Sequence, residues 1–142
     1  MSEHQIIRGM ELEPFRAGGV SQAEVEQYAL VSGDGNPIHT DPKLANKAGL
    51  DDLPVQGMFV MAMVATYLEN WSFCQHINDL NIRFVKPTLI NRDIIFSARV
   101  VSVSQDQGQS ILRITVHQDD QMVAMGEADV LCPMLSIGAT PT

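Results

Sequence analysis

The chain has few basic residues and no long hydrophobic run. It carries 9 Lys and Arg against 17 Asp and Glu, which gives a formal net charge of -8 and a pI near 4.7. This balance lacks the basic surface that nucleic-acid binding requires, so a DNA or RNA partner is not expected. The longest apolar stretch, around Met58 to Leu68, falls well short of the roughly 20 residues that a bilayer span requires. We therefore expect a buried helix there and no membrane association.

Cysteine is also scarce, and the two cysteines, Cys74 and Cys132, lie far apart without CxxC spacing. No apolar leader precedes them, and this pattern fits a reducing cytosol better than a disulfide framework. We predict a cytoplasmic protein with two buried thiols. The chain also lacks the His, Cys, Asp and Glu spacing of metal ligands, so no metal site is expected.

The chain does have enough apolar residues to build one core. Its 142 residues are 45% hydrophobic, and no low-complexity tract is long enough to act as a linker. Both features are typical of a single domain, which we predict over residues 1–142.

Residues 33 to 39, Gly-Asp-Gly-Asn-Pro-Ile-His, are the most informative segment. The two glycines allow unusual backbone angles, and Pro37 disfavours a helical conformation at Asn36, so we expect one irregular loop. Asp34 and His39 lie five positions apart on it. Aspartate is ordinarily ionised at neutral pH and histidine titrates near it, so the pair could hold a water molecule and add it to a substrate or remove it. Turn formation and helix capping are the alternative roles of these residue types.

Local patterns predict helices on both sides of this loop and strands after them. Residues 21–24 form a capping box for a helix that ends at Gly33, and Asp41 with Pro42 starts a short helix that ends near Ala48. A longer apolar helix is predicted from Gly57 to about Trp71. Strands are predicted over 10–15, 78–85, 93–103, 110–118 and 122–131, and Pro14 confines the first of them to a sheet edge or an extended lead-in. One buried helix followed by consecutive strands indicates an α+β fold in which an antiparallel sheet curls around the helix.

Three segments resemble a known family. Residues 28–39, Tyr-Ala-Leu-Val-Ser-Gly-Asp-Gly-Asn-Pro-Ile-His, resemble the signature of the MaoC-like (R)-specific enoyl-CoA hydratases and dehydratases, which have the hotdog fold. Residues 55–63 are similar to the start of that family's central helix, and residues 81–87 to the strand that follows it. The resemblance covers nearly the whole chain and implies a single hotdog domain, with a curved antiparallel β-sheet wrapped around a central helix.

The resemblance also implies roles for individual residues. Asp34 and His39 would be the catalytic pair, with a water molecule between them. The backbone N–H of Gly57 would bind the thioester oxygen, although a glycine there could also serve only tight helix packing. Asn36 would order the loop. Gln56 stands where the family commonly has His, and it keeps hydrogen bonding without being able to titrate.

A wider set of residues is expected to contact the substrate: Asn36, Gln56, Met58, Tyr67, Trp71 and Arg83. Methionine is flexible and suits a tunnel for a variable acyl chain, but methionine and the two aromatic residues could also simply fill the core. The basic residues Arg83, Lys86 and Arg92 could meet the phosphate of a carrier, or they could face solvent.

The implied reaction is the hydration of trans-2-enoyl thioesters to (R)-3-hydroxyacyl thioesters, or the reverse dehydration. CoA or the pantetheine of an acyl carrier protein would enter as part of the substrate, with no separate cofactor. A homodimer is expected, and a heterodimer is the alternative. A hotdog acyl-thioesterase and a non-catalytic acyl-thioester-binding subunit of a heterodimeric dehydratase are the competing functions. The sequence leaves acyl chain length, carrier, direction and pathway open.

Overall fold

The computed structural model describes residues 5–132. Its helices in this range are α1 (Gln22–Ser32), α2 (Pro42–Lys47) and α3 (Gly57–Glu69). Its strands are β1 (Phe15–Ala17), β2 (His76–Phe84), β3 (Ile94–Ser104), β4 (Gln109–Gln118) and β5 (Gln121–Leu131). A short 3-10 turn, Pro37–His39, lies between α1 and α2.

The strands form one antiparallel sheet in the order β1-β3-β4-β5-β2. Short turns join β3, β4 and β5, so local hairpins build the centre of the sheet. In β4, the alternate residues Leu112, Ile114 and Val116 are fully buried, whereas their neighbours are partly or fully exposed. This alternation is that of a sheet with one face on the core.

Helix α3 lies on the core side of the sheet. Val60, Val64 and Leu68 have no exposed surface and share one hydrophobic core with inward side chains of β3, β4 and β5. This arrangement confirms the predicted α+β hotdog fold. The expectation that α3 is covered on nearly every side is wrong within the described chain, because Met58 is 64% exposed and Ala62 is also exposed.

Helix α1 begins and ends where its sequence predicts. Ser21 Oγ accepts from the Glu24 N–H, and the Glu24 carboxylate accepts from the Ser21 N–H, so the capping box is complete. Gly33 ends the helix with a φ of 79°, a left-handed conformation that strains residues with a Cβ. These two signals decide where the chain leaves α1, and therefore where Asp34 begins the loop.

Three elements have a boundary that differs from its predicted position by two residues or more. The strand predicted over 10–15 is reduced to a bridge between Glu11 and Arg99, and β1 starts only at Phe15, because Pro14 has no N–H to donate to a ladder. Helix α3 ends two residues early, and β2 starts two residues early. The predicted domain of residues 1–142 extends past the described residues at both ends, so its limits stay a prediction.

Candidate active site

The loop after α1 is held by hydrogen bonds from side chains to its own backbone. Asp34 Oδ1 accepts from the Asn36 N–H at 3.2 Å, and Asn36 Oδ1 accepts from the Ile38 N–H at 3.1 Å. The Asp34 N–H donates to Ser32 Oγ at 3.2 Å. In such turns a short polar side chain takes the place of a backbone acceptor. Asn36 therefore orders the loop, and the second carboxylate oxygen of Asp34 is left for the site.

His39 ends the 3-10 turn with one ring nitrogen already bound. Its Nδ1 lies 2.8 Å from the carbonyl oxygen of Pro54. Because a carbonyl oxygen can only accept, Nδ1 carries the hydrogen, and Nε2 of the neutral ring is the nitrogen that can take a proton. Nε2 lies 3.9 Å from Asp34 Oδ2. This distance is too long for a direct hydrogen bond, and it leaves both groups able to bind one small oxygen-containing ligand.

Gly57 places a backbone donor at the start of α3. Gln56, the N-cap residue, makes no side-chain cap hydrogen bond, and the first N–H groups of a helix have no acceptor within it. The Gly57 N–H and the positive end of the helix dipole are therefore available to an oxygen atom. A methyl group at this position would lie 3.3 Å from Cε2 of Phe84. Glycine thus also allows the Phe84 ring to pack closely against the helix start.

His39 and Gly57 border the same cavity, which has a volume of about 370 Å³. Its other walls include Val60 of α3 and residues 84–88, where β2 ends. Asp34 does not line this cavity and meets the site through His39. A ligand here could contact Nε2 of His39 and the Gly57 N–H together. That geometry is what the activation of water beside a polarised carbonyl group requires.

A second cavity, of about 660 Å³, lies at the C-terminal end of α3 and contains the two aromatic candidates, Tyr67 of α3 and Trp71 just after it. Its walls include Phe59, Met63, Tyr67, Trp71 and Phe96. The Tyr67 O–H donates to the carbonyl oxygen of Glu13 at 3.0 Å, and burial raises the pKa of Tyr67 to about 12. This cavity shares no lining residue with the one at His39. The structure therefore separates Tyr67 and Trp71 from His39, and their contact with a substrate stays a prediction.

Three other candidates also lie outside the lining of the His39 cavity. Met58 is 64% exposed, and Arg83 is exposed on the edge strand β2. Gln56 is 1% exposed, and its Nε2 donates to the carbonyl oxygen of Val25 in α1 at 3.0 Å. The side chain of Gln56 is thus bound to a helix instead of facing the cavity. Asn36 does not line this cavity either, so a substrate contact at these three positions and at Asn36 stays a prediction.

Within residues 5–132, no helix is long and apolar enough to cross a bilayer. In the same range, no three His, Cys, Asp or Glu side chains are grouped so that they could hold a metal ion.

The sequence profile of the MaoC like domain matches residues 6–122. This range holds the 33–39 loop, α3 and most of the sheet. The chain belongs to the MaoC-like domain family.

Curated relatives of this MaoC-like chain include much longer proteins. It is 34% identical over 113 residues to the fatty acid synthase subunit beta of Saccharomyces cerevisiae. These residues cover 77% of this chain but 5% of the yeast protein. It is 25% identical over 122 residues to the mitochondrial 3-hydroxyacyl-(acyl-carrier-protein) dehydratase of Arabidopsis thaliana, covering 82% of this chain and 73% of the plant protein. The chain therefore spans only a small part of the yeast relative.

Solved structures share the fold of this MaoC-like chain. The (R)-hydratase from A. caviae involved in PHA biosynthesis aligns over 90% of this chain and 98% of its own, with a TM-score of 0.80 and 21% identity. The ChsH1-ChsH2 complex from Mycobacterium tuberculosis has a chain that aligns over 89% of this chain and 98% of its own, with a TM-score of 0.78 and 18% identity. At these identities the similarity concerns the fold.

Two residues of this MaoC-like site were missed by sequence reasoning. Pro54 acts through its carbonyl oxygen, and no residue type signals where a backbone carbonyl will point. Phe84 packs over Gly57, and the only signal is that it is an apolar residue within the 81–87 segment. Both contacts join parts of the chain that are 15 or more positions apart, so they arise only from folding.

Proposed function

We propose that this protein is a hydro-lyase that adds water to trans-2-enoyl thioesters to give (R)-3-hydroxyacyl thioesters, or catalyses the reverse dehydration. The observation that carries this proposal is the hydrogen bond from Nδ1 of His39 to Pro54, which leaves Nε2 as a base 3.9 Å from Asp34 Oδ2. The cavity that His39 shares with Gly57 supports it. Membership of the MaoC-like family and the dehydratase name of the Arabidopsis thaliana relative agree with this chemistry.

The proposed hydration moves one water molecule across the double bond. Asp34 Oδ2 and His39 Nε2 bind the water, and Nε2 accepts one of its protons while its oxygen bonds to C3. The electron pair of the C2–C3 double bond shifts toward the thioester oxygen, which the Gly57 N–H and the N-terminus of α3 stabilise. The protonated His39 then returns its proton to C2. Dehydration follows the same steps in reverse.

The proposed reaction needs no separate cofactor, because CoA or acyl-carrier pantetheine arrives with the substrate. Lys86 is a basic residue on the wall of the His39 cavity, where its Nζ donates to Gln121 Oε1 at 2.7 Å. Both Lys86 and Arg83 are exposed, but Arg83 does not line this cavity, so Lys86 is better placed to meet a polar carrier group near the site. We propose a cytoplasmic protein, as the cysteine pattern predicts.

We also propose that the protein is a homodimer. Strand β2 is an edge of the sheet, so its outer backbone groups lack a neighbouring strand in the described chain. Phe84 and Val85 at its end are 42% and 46% exposed, and Met58 at the start of α3 is 64% exposed. Pairing with a second copy would cover this edge and these apolar side chains. Light scattering after gel filtration should give twice the mass of the chain, and a monomer alone would contradict the proposal.

The function is tested by the ultraviolet absorbance of crotonyl-CoA, which falls when hydration removes the conjugated double bond. We expect a fall with the wild-type protein and a loss of about 100-fold or more in Asp34→Asn and in His39→Asn. Asparagine at position 39 can still donate to Pro54 but has no counterpart of Nε2. This variant therefore keeps the structural contact and removes only the base.

Matched controls are Asp106→Asn, in the exposed turn between β3 and β4, and His117→Gln, on β4. Both should retain full activity. Full activity in Asp34→Asn and His39→Asn would show that the site is wrongly assigned. Release of free thiol would indicate a thioesterase instead. Binding of enoyl-CoA without turnover would indicate a non-catalytic subunit that needs a heterodimeric partner.

A further inference from the structure

The segment of residues 54–57 contacts His39, α1 and the wall of the His39 cavity. Pro54 accepts the hydrogen bond from His39, and Gly57 presents its N–H at the start of α3. Gln56 donates to Val25 of α1, the helix that leads into the Asp34 loop. The segment is itself fixed, because the Val55 N–H donates to the carbonyl oxygen of Thr88, in the cavity wall, at 2.7 Å. One short segment therefore binds His39 directly and is linked to Asp34 through α1.

Gln56 has an unusual environment for a polar side chain. It is 1% exposed, and its Oε1 is buried with no hydrogen-bond partner in the described chain. An unpaired buried acceptor costs stability, so a methionine or leucine of similar volume would be cheaper if the position only filled space. The bond from Nε2 to Val25 is therefore the contact that this side chain provides.

That bond acts on Asp34 through a rigid element. Val25 lies in the buried face of α1, which runs without interruption to Gly33. The Asp34 N–H is then tied to Ser32 Oγ, so the loop moves with the end of the helix. His39 is tied separately to Pro54. The position of α1 against the Pro54–Gly57 segment therefore sets the gap between Asp34 and His39.

We propose that Gln56 is a positioning residue, which holds α1 against the start of α3 and so sets the 3.9 Å separation of Asp34 Oδ2 and His39 Nε2. This proposal rests on the proposed hydratase function where it concerns turnover. Its structural part concerns the Asp34 loop alone and holds for the protein without substrate.

The kinetic test compares two variants. Gln56→Met keeps the volume of the side chain but has no hydrogen-bond donor, whereas Gln56→His supplies a donor again, in the form of a ring N–H. We expect Gln56→Met to lower kcat about 10- to 100-fold with KM changed less than about twofold, because the pair is misplaced while binding is retained. Gln56→His should recover most of the lost kcat. A core variant far from the site, Ile114→Val, controls for a general loss of stability. A kcat unchanged in Gln56→Met would overturn the proposal.

Amide hydrogen exchange provides a readout that does not need activity. The N–H groups of Asn36 and Ile38 are held by the loop itself, so they report its order. We expect them to exchange at least about tenfold faster in Gln56→Met, with β4 unchanged, and to return to the wild-type rate in Gln56→His. Equal exchange in all three proteins would overturn the positioning role. If no thioester is hydrated by the wild type, the proposed function fails, and exchange still decides the role of Gln56.

Discussion

The chemistry of His39 depends on a backbone atom that lies 15 residues further along the chain. The Pro54 carbonyl oxygen accepts a hydrogen bond from the Nδ1–H group, and this contact leaves Nε2 on the side of Asp34. A histidine that donated through Nε2 instead would have Nδ1 as its free base, at a different position in the site. The identity of the side chain therefore makes the proposed proton transfer possible, while the contact with Pro54 decides which nitrogen would perform it.

Substitutions at a second residue, Gly57, distinguish a role in packing from the proposed role in catalysis. We expect Gly57→Ala to lower kcat/KM for an enoyl-CoA about 10- to 100-fold, because the added methyl group holds the thioester away from the N–H. The methyl group would also press on Phe84, which lies 3.3 Å away. Adding Phe84→Leu relieves that pressure. Steady-state kinetics should show that the double variant stays slow, and recovery to wild-type rates would mean that Gly57 serves packing alone.

At the scale of secondary-structure elements, β2 depends on one close approach to β5. Gly126 of β5 pairs with Ile82, and a Cβ at Gly126 would overlap the carbonyl oxygen of Asn81. Backbone atoms cannot move aside as a flexible side chain can. Because β2 ends at Phe84, which forms a wall of the His39 cavity, its attachment also affects the site.

We expect Gly126→Ala to lower the free energy of unfolding by more than about 3 kcal/mol, because β2 must shift away from β5. Urea denaturation measures the loss, and amide exchange should show it centred on β2. Gly18→Ala is the control, since a Cβ at Gly18 meets nothing within 4 Å. A loss in Gly126→Ala no larger than in Gly18→Ala would contradict the close approach.

At the scale of the whole molecule, Tyr67 joins three parts of the fold. It belongs to α3, its O–H donates to Glu13 in the N-terminal segment, and its ring stacks on Phe96 of β3 with centroids 6.0 Å apart. Burial raises its pKa to about 12 from the ordinary value of 10.0. The folded state therefore keeps the Tyr67 proton at a pH at which the unfolded chain has lost it.

A group whose pKa is raised by folding stabilises the protein at any pH below its pKa in the unfolded chain. This contribution to stability is lost as the pH rises toward the pKa of the folded state. We expect the free energy of unfolding to fall by roughly 2 kcal/mol between pH 10 and pH 12 on account of Tyr67. At neutral pH, the free energy of unfolding of Tyr67→Phe should be about 1 kcal/mol lower than that of the wild type, because the hydrogen bond to Glu13 is lost. Between pH 10 and pH 12, the variant should not show the decrease that Tyr67 causes. Denaturant titrations of both proteins across this range measure the difference, and parallel curves would contradict the assignment.

Much of the fold could be predicted because its signals are local. The capping box of Ser21 and Glu24, the C-terminal Gly33 and the β4 alternation each act within a few residues. The 33–39 motif likewise forms its own hydrogen bonds, so Asp34 and His39 could be named as candidates. The first strand lies away from its predicted place because Pro14 lacks the N–H that strand pairing needs.

The sequence by itself determined the elements, the loop and the residue types of the acid-base pair, because short-range sterics and hydrogen bonds act between neighbours along the chain. The tertiary structure alone decided which nitrogen of His39 is the base, that Gln56 binds α1, and that Tyr67 lies in a different cavity from Gly57. Those outcomes depend on contacts between distant segments, often through backbone atoms that every residue carries. The amino-acid sequence does not indicate where such backbone atoms will point in the folded protein.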